Sequence, residues 1–184
     1  SEIKDLCKEP EVFALGETGL DYHRNFSSKK EQIISFEKHV ELSIELNKPL
    51  FLHVREAHSD FISILDTDLK NLPNVVVHCF TGTANELQDY IDREFFIGIT
   101  GWICDERRGS HLKSLIKNIP LNKLMIETDA PYLLPRNSGM KNSTMNEPKY
   151  LSIIAKEVIL NREEENRIII EALYKNSQLF FGVI

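Results

Sequence analysis

The segment Pro49–Phe61, PLFLHVREAHSDF, holds the reading that decides the fold. Leu50–Val54 is short, apolar and β-prone, and a charged tip, Arg55 and Glu56, follows at once. Phe61, Ile62, Leu65 and Leu69 then recur at helical spacing, so a strand gives way to a helix across a polar turn. The same pattern recurs on either side. Apolar runs at Val12–Gly16, Val75–Phe80, Phe95–Thr100 and Lys123–Glu127 each lead through a polar or glycine-containing stretch into a helical segment. Ser28 with Glu31 and Thr83 with Glu86 form capping boxes at two helix starts. Ile33, Phe36, Val40 and Ile44 share one face of the first helix; Leu87, Tyr90 and Ile91 do so in the second. After the fourth run, Leu112, Leu115, Ile116 and Ile119 keep the period. Two further helices are expected over Pro148–Leu160 and Glu163–Gln178, and a long loop over Arg136–Asn146. Strands spaced roughly 20 to 40 residues apart with helices between them predict an α/β protein with parallel strands, in a barrel or an open doubly wound sheet.

The composition sets the frame. The chain has 184 residues, 42% hydrophobic and 27% charged, which suits one globular domain over residues 1–184 with enough apolar side chains to fill a core. A disordered tail, a collagen-like fibre and a disulfide-stapled miniprotein are excluded. No apolar run approaches the ~18 residues of a membrane span, and the opening SEIKDLCKEPE does not read as a secretory signal. Three cysteines, an odd count without metal-type pairing, point to reduced thiols and a cytoplasmic setting. With 22 basic and 28 acidic side chains the net charge is −6, so any nucleic acid would have to be held locally and not by bulk charge. No strand is followed by a GxGxxG or GxxxxGK[ST] loop, which argues against a nucleotide-binding Rossmann domain.

Residues able to do chemistry collect at the carboxyl ends of the runs: Glu17 and Asp21 in GETGLD, His53, Arg55 and Glu56 in LHVRE, His78 in VVVHCF, Glu127 and Asp129 in IETDAP. In α/β architectures these ends converge on one face. Glu17, His53, His78 and Asp129 offer the oxygen and nitrogen donors that bind zinc, manganese or magnesium. Each also has a structural reading. Either histidine alone suits a satisfied core position, Glu17 could cap a turn or pair with Arg24, and Asp129 could cap the turn at Ala130-Pro131. A shared cation accounts for all four at once, because an unpaired buried charge costs several kcal/mol.

Six ordered stretches, GETGLDYHRNFS, PLFLHVREAHSDF, VVVHCFTGT, FIGITGWICDERRG, LMIETDAPYLLPR and NEP at Asn146–Pro148, resemble the TatD family of metal-dependent deoxyribonucleases from about Pro10 to the C-terminus. The resemblance implies a TIM-type (β/α)8 barrel of the metal-dependent hydrolase kind, with Glu17, His53, His78 and Asp129 as metal ligands. Only the last five βα units are visible. At about 25 residues each, three missing units amount to roughly 75 residues, which would restore the ~250 typical of such barrels. The chain opens at Ser1 inside what reads as the end of a helix, so it is expected to be an N-terminally incomplete part of a longer protein. Two exposed sheet edges would then require a partner segment to complete the barrel.

The resemblance further implies hydrolysis of DNA phosphodiester bonds, from the 3′ end of single strands, with one or two divalent ions (Mg, Mn or Zn). Asp129 and Glu17 are the catalytic candidates, with Asp129 also taking the proton of the attacking water. Of eight arginines, Arg24, Arg55, Arg107, Arg108 and Arg136 lie at or just after strand ends, where guanidinium suits phosphate; solvated loop positions are the alternative. Trp102, and less so Tyr22, Phe80 and Tyr132, are placed either to stack on bases or to pack a barrel mouth. Arg24, Arg55, Trp102, Arg107 and Arg108 are thus the substrate-binding candidates. Cys79 and Cys104 are expected to be buried thiols. An amidohydrolase-type enzyme acting on a small amide or ester, or an inactive metal-binding fragment, are the competing readings.

Overall fold

The computed structural model describes residues 2–139 and 145–183. It holds five strands, β1 (Leu15–Asp21), β2 (Leu50–Arg55), β3 (Val75–Val77), β4 (Phe96–Ile99) and β5 (Leu124–Ile126). Seven α-helices accompany them: α1 (Glu2–Leu6), α2 (Lys29–Leu46), α3 (His58–Asp66), α4 (Ala84–Asp92), α5 (Ser110–Leu115), α6 (Leu151–Leu160) and α7 (Asn166–Phe181). The chain forms two compact units, one of residues 1–78 with 179–184, the other of residues 79–178.

In the first unit β1 pairs with β2 and β2 with β3, all parallel. The expected strand at Val12–Gly16 lies three residues further on. Its apolar start is loop, and the polar GETGLD carries the pairing because this strand serves a site as well as a core. The register slips between Gly16 and Thr18, leaving Glu17 as the extra residue of a bulge. Gly19, at φ +140°, runs so close to β2 that a Cβ would fall 1.9 Å from the His53 carbonyl oxygen, so only glycine fits. Behind the strands, Phe36 of α2 stacks on Phe61 of α3 with centroids 5.2 Å apart. Leu20, Leu50, Leu52 and Val77 are fully buried. Leu69, assigned above to the helix of Phe61, sits instead in a separate 3-10 turn (Leu69–Asn71).

In the second unit β4 pairs with β5 in parallel register. Both expected capping boxes are present: Ser28 and Glu31 open α2, and Thr83 and Glu86 open α4. Ile116 falls past the end of α5, in a 3-10 turn. The C-terminal helices start later than their patterns suggested, at Leu151 after a 3-10 turn and at Asn166. Within the expected loop, Arg136–Ser138 is a 3-10 turn, and residues 140–144 lie outside the described residues. Asn176 of α7 is 2% exposed, and its Nδ2 donates to the carbonyls of Leu121 (2.8 Å) and Leu124 (2.7 Å), tying the helix to the start of β5.

After β4 the chain turns sharply through Asp105–Gly109. The Asp105 carbonyl accepts from the Gly109 amide at 2.7 Å, and its Oδ1 accepts from the Arg107 amide at 3.0 Å. Arg136 Nε donates to Oδ2 at 2.6 Å. Burial pushes the Asp105 carboxyl up, but the bonds from Arg107 and Arg136 outweigh it and hold its pKa at about 2.

Two predictions follow from this packing. Asn176→Ala strands two carbonyl acceptors and should lower unfolding stability by about 1–3 kcal/mol in urea titration; an unchanged midpoint would show the bonds to be replaceable. A carboxylate with a depressed folded pKa contributes stability above its ordinary value, 3.8, that is lost as pH falls through about 2. The stability gap between the wild type and Asp105→Asn should therefore narrow between those pH values; a gap independent of pH contradicts it.

Candidate metal centre

Parallel pairing of β1, β2 and β3 brings three side chains to one point. Glu17 projects from the bulge of β1, and His53 stands in β2 opposite Gly19. His78 follows β3 directly, its amide continuing the ladder to the Leu52 carbonyl at 2.9 Å. Glu17 Oε1 lies 3.0 Å from His78 Nε2 and 3.1 Å from His53 Nδ1. The two ring nitrogens are 3.3 Å apart. The ligand atoms of these three residues all lie within 4.8 Å of one another, the arrangement that can hold a metal ion.

The dimensions test the fit. Donors bound at about 2.0–2.1 Å in tetrahedral or octahedral geometry are roughly 2.8–3.4 Å apart. All three observed separations, 3.0, 3.1 and 3.3 Å, fall in that window. One carboxylate oxygen with two imidazole nitrogens is also the donor set of a borderline divalent ion. The residues fit the group.

The surroundings keep the donors in that state. The imidazoles of His53 and then His78, 3.1 and 3.0 Å from its Oε1, hold the Glu17 carboxyl well below the ordinary carboxylate range, against the opposing push of partial burial. His53 is fixed by Asp21: its Nε2 lies 3.1 Å from Asp21 Oδ2, so that nitrogen donates and Nδ1 is left to face Glu17 and His78. Burial pushes Asp21 up, yet bonds from the Arg24 amide and His53 bring it below its ordinary value. The Gln32 side chain of α2 locks the Asp21 backbone, accepting from its amide at 2.8 Å and donating to its carbonyl at 3.1 Å. His78 is 5% exposed and packs against Phe51 with centroids 5.0 Å apart. Glu17 and His53 open onto a cavity of about 620 Å³, lined also by Asp21, Arg24, Phe26 and Gln32.

The sequence singled out Asp21 at a strand end but gave it no role. Its partnership with His53 depends on the register that sets Asp21 opposite Arg55, and no spacing rule exposes that. Glu17 pairs with the imidazoles; the residue beside Arg24 is Asp21, 3.8 Å from its Nε. Arg24 and Arg55 are exposed in the first unit. Asp129, Trp102, Arg107 and Arg108 belong to the second unit. Asp129 lies just past β5 at φ +57°, and its carbonyl accepts from the Tyr132 amide at 2.8 Å. Glu127 Oε1 accepts from the Cys79 amide at 2.6 Å. Phe80 is core, edge-on to Tyr90 at 6.1 Å, and the Tyr22 hydroxyl donates to Asp60. Tyr132 is exposed. Cys104 is buried, its thiol pushed up to about 11 by burial, whereas Cys79 is only half-buried beside the Thr100 hydroxyl.

Known proteins share this arrangement of sequence. The profile of the TatD related DNase family matches residues 1–182. A 3′-5′ ssDNA/RNA exonuclease TatD from Escherichia fergusonii is 47% identical over 182 residues, covering 98% of this chain and 70% of that protein. Its counterpart in Escherichia coli K12 is 44% identical with the same coverage. Among solved structures, a TatD family hydrolase from Entamoeba histolytica aligns with TM-score 0.85 at 27% identity, over 97% of this chain and 67% of its own. A TatD homologue from Escherichia coli K12 aligns with TM-score 0.87 at 24% identity, over 100% and 70% respectively. The fold is accordingly α/β, with five βα units of the TIM-type barrel kind. By the profile match and by these identities, the chain belongs to the TatD related DNase family.

Proposed function

We propose that the chain is a divalent-metal-dependent nuclease that hydrolyses DNA phosphodiester bonds from single-stranded 3′ ends, in the cytoplasm. The observation that carries this reading is the meeting of Glu17 Oε1, His53 Nδ1 and His78 Nε2 at 3.0–3.3 Å in a chain of this family. The names of its relatives support a 3′-5′ polarity and a single-stranded substrate. No helix among the described residues is long and apolar enough to cross a membrane.

Glu17, His53 and His78 would hold the ion, with Asp129 as a fourth ligand by family resemblance. Imidazole favours zinc or manganese over magnesium, and one or two ions are compatible with four ligands. When bound, the ion supplies a Lewis acid that activates water near neutral pH and draws charge from the phosphate. Glu17, kept anionic by its imidazole neighbours, offsets part of that positive charge. Asp21 holds His53 in the tautomer that presents Nδ1. The Asp129 carboxylate would accept the proton that the attacking water gives up. Arg24, Arg55, Arg107 and Arg108 would hold the strand by its phosphates, and Trp102 would offer a base its π-face.

Mononucleotides should be released from an oligonucleotide with an accessible 3′ end in the presence of Mn²⁺, and chelation should stop the release. His78→Ala and Asp129→Ala should each lower kcat/KM by on the order of a hundredfold or more. Undiminished turnover in both variants, or equal turnover of a 3′-blocked end, contradicts the reading. Asp21→Ala should weaken metal affinity by about 10–100-fold, as loss of a ligand-orienting carboxylate does. Calorimetric titration with Mn²⁺ checks this, and wild-type affinity in the variant would remove Asp21 from the account.

A further inference from the structure

The second unit carries a cluster of charge that its packing does not neutralise. Asp105 is 6% exposed, yet two exposed arginines converge on its one carboxylate. Arg107 reaches Oδ1 through Nε at 3.4 Å and Oδ2 through Nη2 at 3.5 Å. Arg136 reaches Oδ2 through Nε at 2.6 Å. Two guanidiniums on one carboxylate leave a unit of positive charge over, and like charges so close repel unless a second anion faces them. Arg136 meets Asp105 by its Nε alone, so both its terminal nitrogens are spare among the described residues. Beside the cluster, the Arg108 guanidinium lies 5.6 Å from the half-buried Trp102 ring.

The turn is built to hold this arrangement. A Cβ at Gly109 would sit 1.8 Å from the Trp102 carbonyl oxygen, so the backbone of Asp105–Gly109 closes tightly on itself and fixes the base of the cluster. A side chain held at Nε keeps its Nη donors pointed one way, and a phosphodiester can accept from both arginines by charge-assisted hydrogen bonds.

From this geometry we infer that Asp105 is a positioning residue that sets Arg107 and Arg136 as a two-armed clamp for one backbone phosphate of a single-stranded nucleic acid. The inference rests on the nuclease reading but adds to it the buried carboxylate and Arg136. Its test separates clamp geometry from bulk charge. Removing the negative charge of Asp105 raises the net positive charge of the patch, so simple attraction predicts tighter binding. An unfixed clamp predicts weaker binding.

Anisotropy titration of a fluorescein-labelled oligothymidylate with the full chain in chelator, at two salt concentrations, makes the comparison. Arg107→Gln and Arg136→Gln should each weaken binding about fivefold and reduce the salt slope by roughly 0.7. Asp105→Asn should weaken it as well, with circular dichroism confirming that the variant is folded. Tighter binding in Asp105→Asn overturns the positioning role. Unchanged affinity and slope in both arginine variants overturn the clamp, and they do so even if Asp105→Asn fails to fold. Release of the oligonucleotide by inorganic phosphate at constant ionic strength would assign the cluster to the free anion instead. If the wild type hydrolyses DNA with Mn²⁺ while the variants bind alike, the clamp alone falls; if it neither binds nor hydrolyses, the nuclease reading falls with it.

Discussion

Three donor atoms of like affinity for protons and metals are held within 3.3 Å of one another, and the first unit is arranged around that crowding. A buried imidazole, a half-buried imidazole and a carboxylate do not gather so closely for packing alone. Desolvation penalises each charge, and only mutual hydrogen bonds or a shared cation repay it. The strands supply the constraint. Parallel register sets the His53 and His78 ends beside each other, and the bulge at Glu17 adds the residue that lets its carboxylate reach both. Without a glycine at position 19, β1 could not approach β2 closely enough to keep that register.

Support for the donors comes from outside the trio. Asp21 takes one nitrogen of His53 and thereby selects the other, and Gln32 in turn fixes the backbone that carries Asp21. A strand, its partner strand and the following helix therefore all bear on the direction of one lone pair. The positive charge that would face a substrate is organised in the same manner in the second unit, where Asp105 takes the Nε of two arginines. In both places a carboxylate held below its ordinary pKa orients a nitrogen-rich side chain. This local arrangement is how a chain of net charge −6 can offer an anion somewhere to bind.

Much of this was legible in the sequence, and the exceptions have physical causes. Both capping boxes and the alternation of strand with helix were readable because they are local patterns of side-chain type. The meeting of Glu17, His53 and His78 was readable because each stands at or just after the end of a β-prone run, and such ends converge on one face. β1 begins three residues past the start of the apolar run because its hydrophobic signal ends where its polar, site-bearing half begins. The bulge at Glu17, the pairing of Asp21 with His53 and the reach of Arg136 to Asp105 all depend on register or on contacts across 31 or more residues. Periodicity does not encode those distances. Phe80 and Tyr22 looked available for stacking and instead serve packing and a hydrogen bond, because an aromatic ring after a strand satisfies either use equally well.

The most direct measurement is the anomalous difference density of a crystal soaked in Mn²⁺. The account predicts a peak at about 2.0–2.3 Å from a Glu17 carboxylate oxygen, His53 Nδ1 and His78 Nε2 together. A peak elsewhere on the chain, or one that engages His53 through Nε2 in place of Asp21, would contradict it.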